Sequence, residues 1–314
     1  MPVGGIAARR RVRLGDVVFK GIALVAALGT TVILGLLAYK VIAQAWPAIQ
    51  HFGASFVWSN VWNPNAAVFG AASFIFGTIV TSFIALLIAT PLAIAIALFL
   101  TEIAPRRLAA PIATVVELLA AIPSVVLGLW GILVFGPWLE HHLEPWLQGA
   151  FGWLPIFSGP TQSVGVLPAA LILTIMIVPI ISALCRELFS RIPRDLTDGS
   201  LALGSTKWEA IRRVGLPYVA PGIAAAMLLG LGRAFGEAIA VTQVIGGQTA
   251  IHTSLFASGD TLGSKIAASY QGAGTGLEVD SLLYLAAILM VVSLVTNVAA
   301  QTVVARFEKA RRLH

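Results

Sequence analysis

The amino-acid sequence predicts an all-α, polytopic membrane protein, and its composition and hydropathy pattern are the observations behind that prediction. Apolar residues make up 58% of the 314 residues, charged residues 11%, and the mean hydropathy is +0.91. A soluble domain of this size needs more polar surface. A helical span takes about 20 mostly apolar residues. Six stretches meet that requirement: 17–43, 70–100, 112–136, 166–185, 218–245 and 281–304.

The basic residues predict how these spans are oriented. Of the 20 Lys and Arg residues, 17 lie in the N-terminal region up to Lys20, after the second span, in the loop 186–217 or in the tail 305–314. Cytoplasmic loops carry an excess of Lys and Arg, so both termini, including the tail 1–16, are expected in the cytoplasm. In such short loops this charge indicates topology, and nucleic-acid binding is not predicted.

The two long outer segments, 44–69 and 137–165, show no pattern of a metal site. The chain has one cysteine, Cys185, which excludes an internal disulfide and a cysteine-based metal site. Two adjacent histidines in the second segment point in different directions on a helix, so no metal site is predicted there. The tryptophans of the first segment are expected at the lipid headgroups; they are Trp46, Trp58 and Trp62.

The third span carries a carboxylate, Glu117, near its beginning. A carboxylate inside a span is unfavourable in lipid, which indicates a partner or a water-filled cavity. Pro123 interrupts the backbone hydrogen bonds of this span, and Ser124 can satisfy part of what the break exposes. Two interpretations of Glu117 stay open: a contact to a substrate, or a hydrated side chain at the membrane interface.

The loop 186–217 is the one sizeable polar interval between long apolar spans. Its apolar residues recur at three- and four-residue steps, which predicts two short helices joined at Gly204. Asp198 is the predicted N-cap of the first helix, and Ser205 or Thr206 that of the second, with Glu209 at capping-box distance from Thr206. Such a pair is either a docking site for a cytoplasmic partner or an ordinary surface loop.

The fifth span contains two charged residues, Arg233 and Glu237, which a continuous helix places on one face. Arg233 lies about 24 Å along the helix from Pro217, at about 1.5 Å per residue, which is well inside the bilayer. One interpretation is a structural ion pair. The other is an oxyanion site in which the guanidinium offers paired donors. Glu237 then accepts a hydrogen bond from a protonated oxygen, which monohydrogen phosphate has and sulfate lacks.

The polar loop resembles the cytoplasmic loop of ABC importer permeases. That loop has Glu-Ala-Ala, a glycine and a closing Ile-x-Leu-Pro, and here the triplet reads Asp-Gly-Ser and the end Val-Gly-Leu-Pro, with the glycine spacing kept. The resemblance implies the type I ABC importer permease fold and a loop that sits in a cleft of an ATPase subunit. The residues it assigns to this coupling are Asp198, Gly199, Ser200, Leu203, Gly204, Leu216 and Pro217.

The run Gly-Leu-Gly-Arg-Ala-Phe-Gly-Glu, 230–237, resembles the Gly-Arg-Ala-x-Gly-Glu signature of the permeases of the high-affinity phosphate ABC importer. The third span, with Glu117 before Ile-Pro-Ser-Val-Val, and the run 261–267 are similar to the same family. The resemblance implies that Arg233 and Glu237 take part in phosphate passage, with Glu117 a weaker candidate. The long first outer segment favours a PstC-type over a PstA-type subunit.

These resemblances imply a non-catalytic permease subunit in the cytoplasmic membrane that moves inorganic phosphate by alternating access. The sequence lacks G-x-x-x-x-G-K-[ST], so no cofactor is expected on this chain, and ATP and Mg²⁺ are expected on partners. The expected partners are a PstA-type permease subunit, two PstB-type ATPase subunits, and a PstS-type phosphate-binding protein outside the cell. Since the outer loops are net negative, that binding protein would deliver the anion.

Two other functions stay open at this point. A permease of the same architecture for sulfate, molybdate or another oxyanion is disfavoured by Glu237, because those anions offer it no proton. A proton-coupled secondary transporter would use an intramembrane carboxylate as its proton site. Uptake that depends on ATP hydrolysis, and not on a proton gradient, would distinguish either ABC permease from this secondary transporter.

Overall fold

The computed structural model describes residues 14–274 and 276–311, and the regular secondary structure of that part of the chain is helical. Within it, six helices are long and apolar enough to cross a membrane, which confirms the predicted fold class. The basic tails lie partly outside the described residues, since 1–13 and 312–314 are not among them. The cytoplasmic location of both termini stays a prediction.

Ten helices are labelled here in chain order, and six of them, α1, α2, α4, α5, α7 and α10, contain the candidate spans. They are α1 (Leu14–Phe52), α2 (Ala72–Ile103), α3 (Arg106–Ala121), α4 (Ser124–Phe151), α5 (Val166–Ser190), α6 (Arg194–Ala202), α7 (Lys207–Gly236), α8 (Ile239–Val244), α9 (Leu262–Ser269) and α10 (Leu277–Arg311). One-turn helices lie at Ser55–Trp58, Pro64–Ala66 and Pro155–Phe157. The side of the polar loop 186–217 is called inner, and the opposite side outer.

The third predicted span, 112–136, is not one helix. The chain forms α3, breaks at Ile122, and starts α4 at Ser124. Ile122 has an extended backbone, ψ 127°, because the ring of Pro123 disfavours the helical conformation for the residue before it. The crossing helix α4 then continues to Phe151, so the first half of the predicted outer loop 137–165 is helical.

The first outer segment also differs from its prediction. Helix α1 continues to Phe52, beyond the predicted end at 43. Trp46 and Trp58 are exposed, as lipid anchoring requires, but Trp62 is half-buried. Its ring lies 4.8 Å from that of Phe69, and the Lys265 ammonium lies 5.0 Å from its centre. Trp62 therefore packs partly against the protein, and its anchoring at the headgroups stays a prediction.

The principal core lies between α2 and α5, which pack against each other along most of their length. Four fully buried alanines repeat at every fourth position of α2, which places them on one face and lets the two backbones approach closely. They are Ala85, Ala89, Ala93 and Ala97. A second apolar cluster joins the outer ends of α2, α9 and α10; it contains Phe56, Phe69, Phe74, Leu262, Leu282 and Leu285.

Candidate functional site

The fifth span is interrupted at the position of its carboxylate. Helix α7 ends at Gly236, Glu237 is extended with φ −77° and ψ 113°, and α8 begins at Ile239. The prediction of one continuous helix through 218–245, with both charged residues on its face, is wrong in this respect. One oxygen of Glu237 accepts the N–H of Ala240 at 3.3 Å, which satisfies a free donor at the start of α8.

Arg233 and Glu237 nevertheless lie close together across the break. The Arg233 Nη2 and Glu237 Oε2 atoms are 3.9 Å apart, and 41% of the Arg233 side chain but only 9% of the Glu237 side chain is exposed. This distance is too long for a hydrogen bond. Within the described part of the chain, no hydrogen bond engages the Arg233 guanidinium. The arrangement is thus a loose pair whose guanidinium donors remain available.

The glycines of α7 divide into two faces. A methyl group on Gly230 would lie 2.8 Å from Ile181, so this glycine lets α7 approach α5 closely. Gly232 and Gly236 have no such neighbour within 4 Å, and Leu229 is exposed as well. Together with Arg233 these positions follow the spacing of one helix face. That face is open to a ligand or to another chain.

Glu117 lies on α3 and pairs directly with Arg186, a residue near the inner end of α5. The exposed fractions of the two side chains are 51% for Glu117 and 33% for Arg186. The small cavity beside this pair is lined from α2, α3 and α5, and neither Arg233 nor Glu237 contributes to it. The structure therefore brings Glu117 to an arginine, but a different one from Arg233.

The polar loop contains the two predicted helical segments, joined at Gly204, whose φ of +86° is in the left-handed region that favours glycine. The predicted cap at Thr206 is confirmed: its hydroxyl accepts the N–H of Glu209 at 3.3 Å, and Glu209 accepts that of Thr206 at 2.9 Å. The predicted cap at Asp198 is wrong, because Pro193 precedes the first residue of α6 and Asp198 lies inside the helix. The second segment is continuous with α7.

The loop presents apolar side chains to solvent at the inner surface. Leu203 is 91% exposed and Trp208 is 60% exposed. Behind the loop lies a groove of about 580 Å³, which is lined by residues of α6 and of the inner end of α2. An exposed leucine and tryptophan beside such a groove are typical of a docking surface.

Residues 89–312 match the family described as binding-protein-dependent transport system inner membrane component. The chain belongs to this family. It is therefore a membrane component of a transport system, located in the inner membrane and without catalytic activity of its own. The family accounts for the predominance of apolar helices and for a polar loop placed between two spans.

Several relatives of this permease are similar over most of its length. The phosphate transport system permease protein PstC of Mesorhizobium japonicum is 41% identical over 303 residues, which is 95% of this chain and 93% of the relative. PstC of Pasteurella multocida is 42% identical over 269 residues, 84% of each chain. PstC 1 of Mycobacterium tuberculosis is 39% identical over 275 residues, 85% of this chain and 81% of the relative.

Solved structures support the permease fold at lower identity. A bacterial alginate ABC transporter, crystallised with an alginate-bound periplasmic protein, matches with a TM-score of 0.60 and 19% identity, covering 92% of this chain and 96% of that one. The inward-facing MetNI methionine ABC transporter matches with a TM-score of 0.53 and 20% identity, covering 74% and 93%. Both likenesses concern the fold.

Two features of the permease site were missed by sequence reasoning. Trp208 belongs to the apolar periodicity of the loop, which gives no sign that this residue is exposed. Arg186 was counted as a topology signal, and nothing in its surroundings marks it as the partner of Glu117, 69 positions earlier. Both features depend on how distant segments pack.

Proposed function

We propose that this permease is a PstC-type subunit of an ATP-driven importer that moves inorganic phosphate across the cytoplasmic membrane by alternating access. The relatives named PstC are about 40% identical to it over most of both chains, and this supports the substrate class. The fold, shared with two ABC transporters, supports the mechanism class.

The observation that carries the proposal is the loose pair of Arg233 and Glu237 on the open face of α7. A guanidinium without a hydrogen bond in the described chain can give two parallel donors to one anion. The buried Glu237 carboxylate offers an acceptor at the same place. Monohydrogen phosphate supplies both an anionic oxygen for the arginine and a hydroxyl for the carboxylate.

The same pair disfavours sulfate and molybdate. Their fully deprotonated oxygens would meet the Glu237 carboxylate with like-charge repulsion and leave an acceptor unpaired. Permease family membership and the inner docking surface disfavour a proton-coupled secondary transporter. In this proposal Glu117 is a member of the inner pair, because its carboxylate is already paired with Arg186.

The open face of α7 and the inner docking surface support the proposed assembly. A PstA-type subunit would cover the face with Gly232 and Gly236 and complete the pathway. Two PstB-type ATPase subunits, which bind ATP and Mg²⁺, would each receive a coupling loop, here the segment with Leu203 and Trp208. A PstS-type protein would deliver phosphate at the outer side.

The test is uptake of labelled phosphate into proteoliposomes that hold the whole complex, with ATP inside and the loaded binding protein outside. We expect ATP-dependent uptake that excess sulfate does not inhibit. Glu237→Gln should lose that selectivity while the complex still assembles. Uptake that follows a proton gradient without ATP, or a complex that moves sulfate and ignores phosphate, would overturn the proposal.

A further inference from the structure

A short outer segment, Asp260–Ser264, packs directly onto the break in the fifth span; we call it the outer clasp. The Cβ of an alanine at Gly263 would lie 3.3 Å from the Glu237 carbonyl oxygen and 3.4 Å from the Ala238 Cβ. The two residues that interrupt the span are thus in contact with the clasp. Only a residue without a side chain permits this approach without displacement.

The clasp is itself held firmly on α2. The N–H of Leu262 donates to the Thr78 hydroxyl at 2.9 Å. A methyl group on Gly77 would overlap the carbonyl oxygen of Asp260, so the two backbones are in direct contact. Leu262 is fully buried, which adds apolar packing to this hydrogen bond. The clasp therefore has a fixed position relative to the principal core.

Internal hydrogen bonds keep the clasp rigid. The buried carboxylate of Asp260 accepts the N–H of Thr261 at 2.9 Å and the hydroxyl of Ser264. Thr261 and Ser264 form a capping box at the start of α9. A network in which buried polar groups satisfy one another favours a single conformation.

The clasp and the residue before it contact α8 at two points. Within the helix, the Thr242 hydroxyl donates to the Ala238 carbonyl at 2.7 Å and lies 3.3 Å from the carbonyl oxygen of Ser264. Directly after the helix, the N–H of Gly259 donates to the Ile245 carbonyl at 3.0 Å. A helix of six residues is too short to be stable alone. Its position, and with it the position of Glu237, depends on these contacts.

We propose that the outer clasp positions Glu237 for its encounter with the transported anion, and that Gly263 is the positioning residue at the point of contact. This inference rests on the proposed function, because the encounter is a step of transport. Gly263 acts through Glu237 and does not touch the anion. The clasp also connects the outer surface, where the anion arrives, to the carboxylate inside the span.

The first test measures phosphate moved per ATP hydrolysed by the whole complex in proteoliposomes. Gly263→Ala should lower this ratio about fivefold, because a small displacement of the Glu237 carboxylate weakens its contact with the transported anion. Gly272→Ala is the matched control, since Gly272 is exposed with no atom within 4 Å of its Cβ position. A purely structural defect would lower transport and ATP hydrolysis together, and that result, like an unchanged ratio, would overturn the inference.

Thr242→Val provides a second variant if Gly263→Ala fails to assemble. It keeps a similar shape but removes the hydroxyl that faces Ser264, so the ratio should fall in the same direction by a smaller factor, about twofold. A ratio equal to that of the parent would contradict the positioning role.

The second test does not depend on phosphate transport. The reactivity of the thiol introduced by Glu237→Cys is measured with a water-soluble reagent in the assembled complex, in a Cys185→Ala background. Adding Gly263→Ala should change the rate about threefold or more, while Gly272→Ala should not. An unchanged rate overturns the inference even if phosphate is the substrate. If the rate changes but the parent complex moves no phosphate, the positioning of residue 237 by the clasp is upheld and the proposed function is removed.

Discussion

Two of the arginine–glutamate pairs in the described part of the chain, Arg186–Glu117 and Arg233–Glu237, differ in nearly every physical respect. Arg186 and Glu117 are directly hydrogen-bonded, and they join two helices, α5 and α3. Arg233 and Glu237 lie 3.9 Å apart across a break between α7 and α8. In the first pair the glutamate is the more exposed partner, and in the second the arginine is.

The inner pair is a complete ionic contact, whereas the pair at the break leaves the arginine without a hydrogen-bonded partner in the described chain. In the inner pair each charge already has its counter-charge, so an anion would have to displace a hydrogen-bonded partner. In the pair at the break, the guanidinium keeps its donors and the carboxylate is fixed by a backbone N–H. Residue types alone do not distinguish these cases, because both pairs consist of the same two side chains.

Exchanging the charges within each pair should give the largest difference. Glu117→Arg with Arg186→Glu restores an attraction between the same two helices, so uptake should stay within about twofold of the parent, as partly exposed pairs contribute at most about 1 kcal/mol. Arg233→Glu with Glu237→Arg should lower uptake by at least about 100-fold, because it buries an arginine and turns a carboxylate toward the anion. Phosphate uptake by both double variants measures this. Equal losses in the two would remove the distinction between the pairs.

Arg233→Lys should have the next largest effect. It keeps the charge but loses the paired donors, and charge-assisted hydrogen bonds contribute about 1.5–3 kcal/mol each. Uptake should therefore fall about 10- to 100-fold, at about 1.4 kcal/mol per tenfold. The measurement is uptake at equal amounts of assembled complex, with Arg186→Lys as the matched variant of the inner pair. A near-normal rate for Arg233→Lys would mean that the arginine only neutralises Glu237.

Gly236→Ala should have a smaller effect that tests the break itself. Alanine favours helix over glycine by about 1 kcal/mol, so it should favour continuation of α7 through Glu237 and lower uptake about fivefold. Within this chain the position has no atom within 4 Å, so no intrachain clash confuses the result. Gly35→Ala in α1 is the control, as that glycine is equally free of neighbours. Equal uptake by both variants would show that the break is fixed by other contacts alone.

Asp260→Asn should have the smallest effect, on the pH dependence of stability. Asp260 is a buried carboxylate that has no arginine partner in the described chain. Burial raises the pKa of Asp260 above its ordinary value of 3.8, while hydrogen bonds from Ser264 and Thr261 and the charge of Lys265 act in the opposite direction. A raised pKa means that the folded state holds the proton more tightly, so stability falls as the pH rises through that pKa. Asp260→Asn should remove this part of the pH dependence, about 2 °C in the thermal midpoint of the purified complex. Identical pH profiles for variant and parent would contradict it.

Hydropathy was sufficient to predict the number of spans, because six helices satisfy the length and composition that lipid demands. Local chemistry was sufficient to predict the Thr206 cap, which involves residues three positions apart. The break at Glu237 could not be predicted, because the residues after it, Ala238 to Val241, continue the apolar pattern without a proline. The clasp that packs against the break lies more than 20 positions later. The start of α4 was also missed, because the apolar pattern before Pro123 belongs to a separate helix, α3.

The alanine face of α2 has a mechanical consequence. Alanine has no side-chain rotamers to exchange, so the α2 side of this seam, Ala85, Ala89, Ala93 and Ala97, has no alternative side-chain packing. Because they also pack along most of their length, we expect helices α2 and α5 to move together. Helix α6 of the polar loop begins only a few residues after α5 ends at Ser190, and the outer clasp rests on the other end of α2. We expect a displacement of the polar loop at one membrane surface to reach the outer clasp at the opposite surface through these two helices.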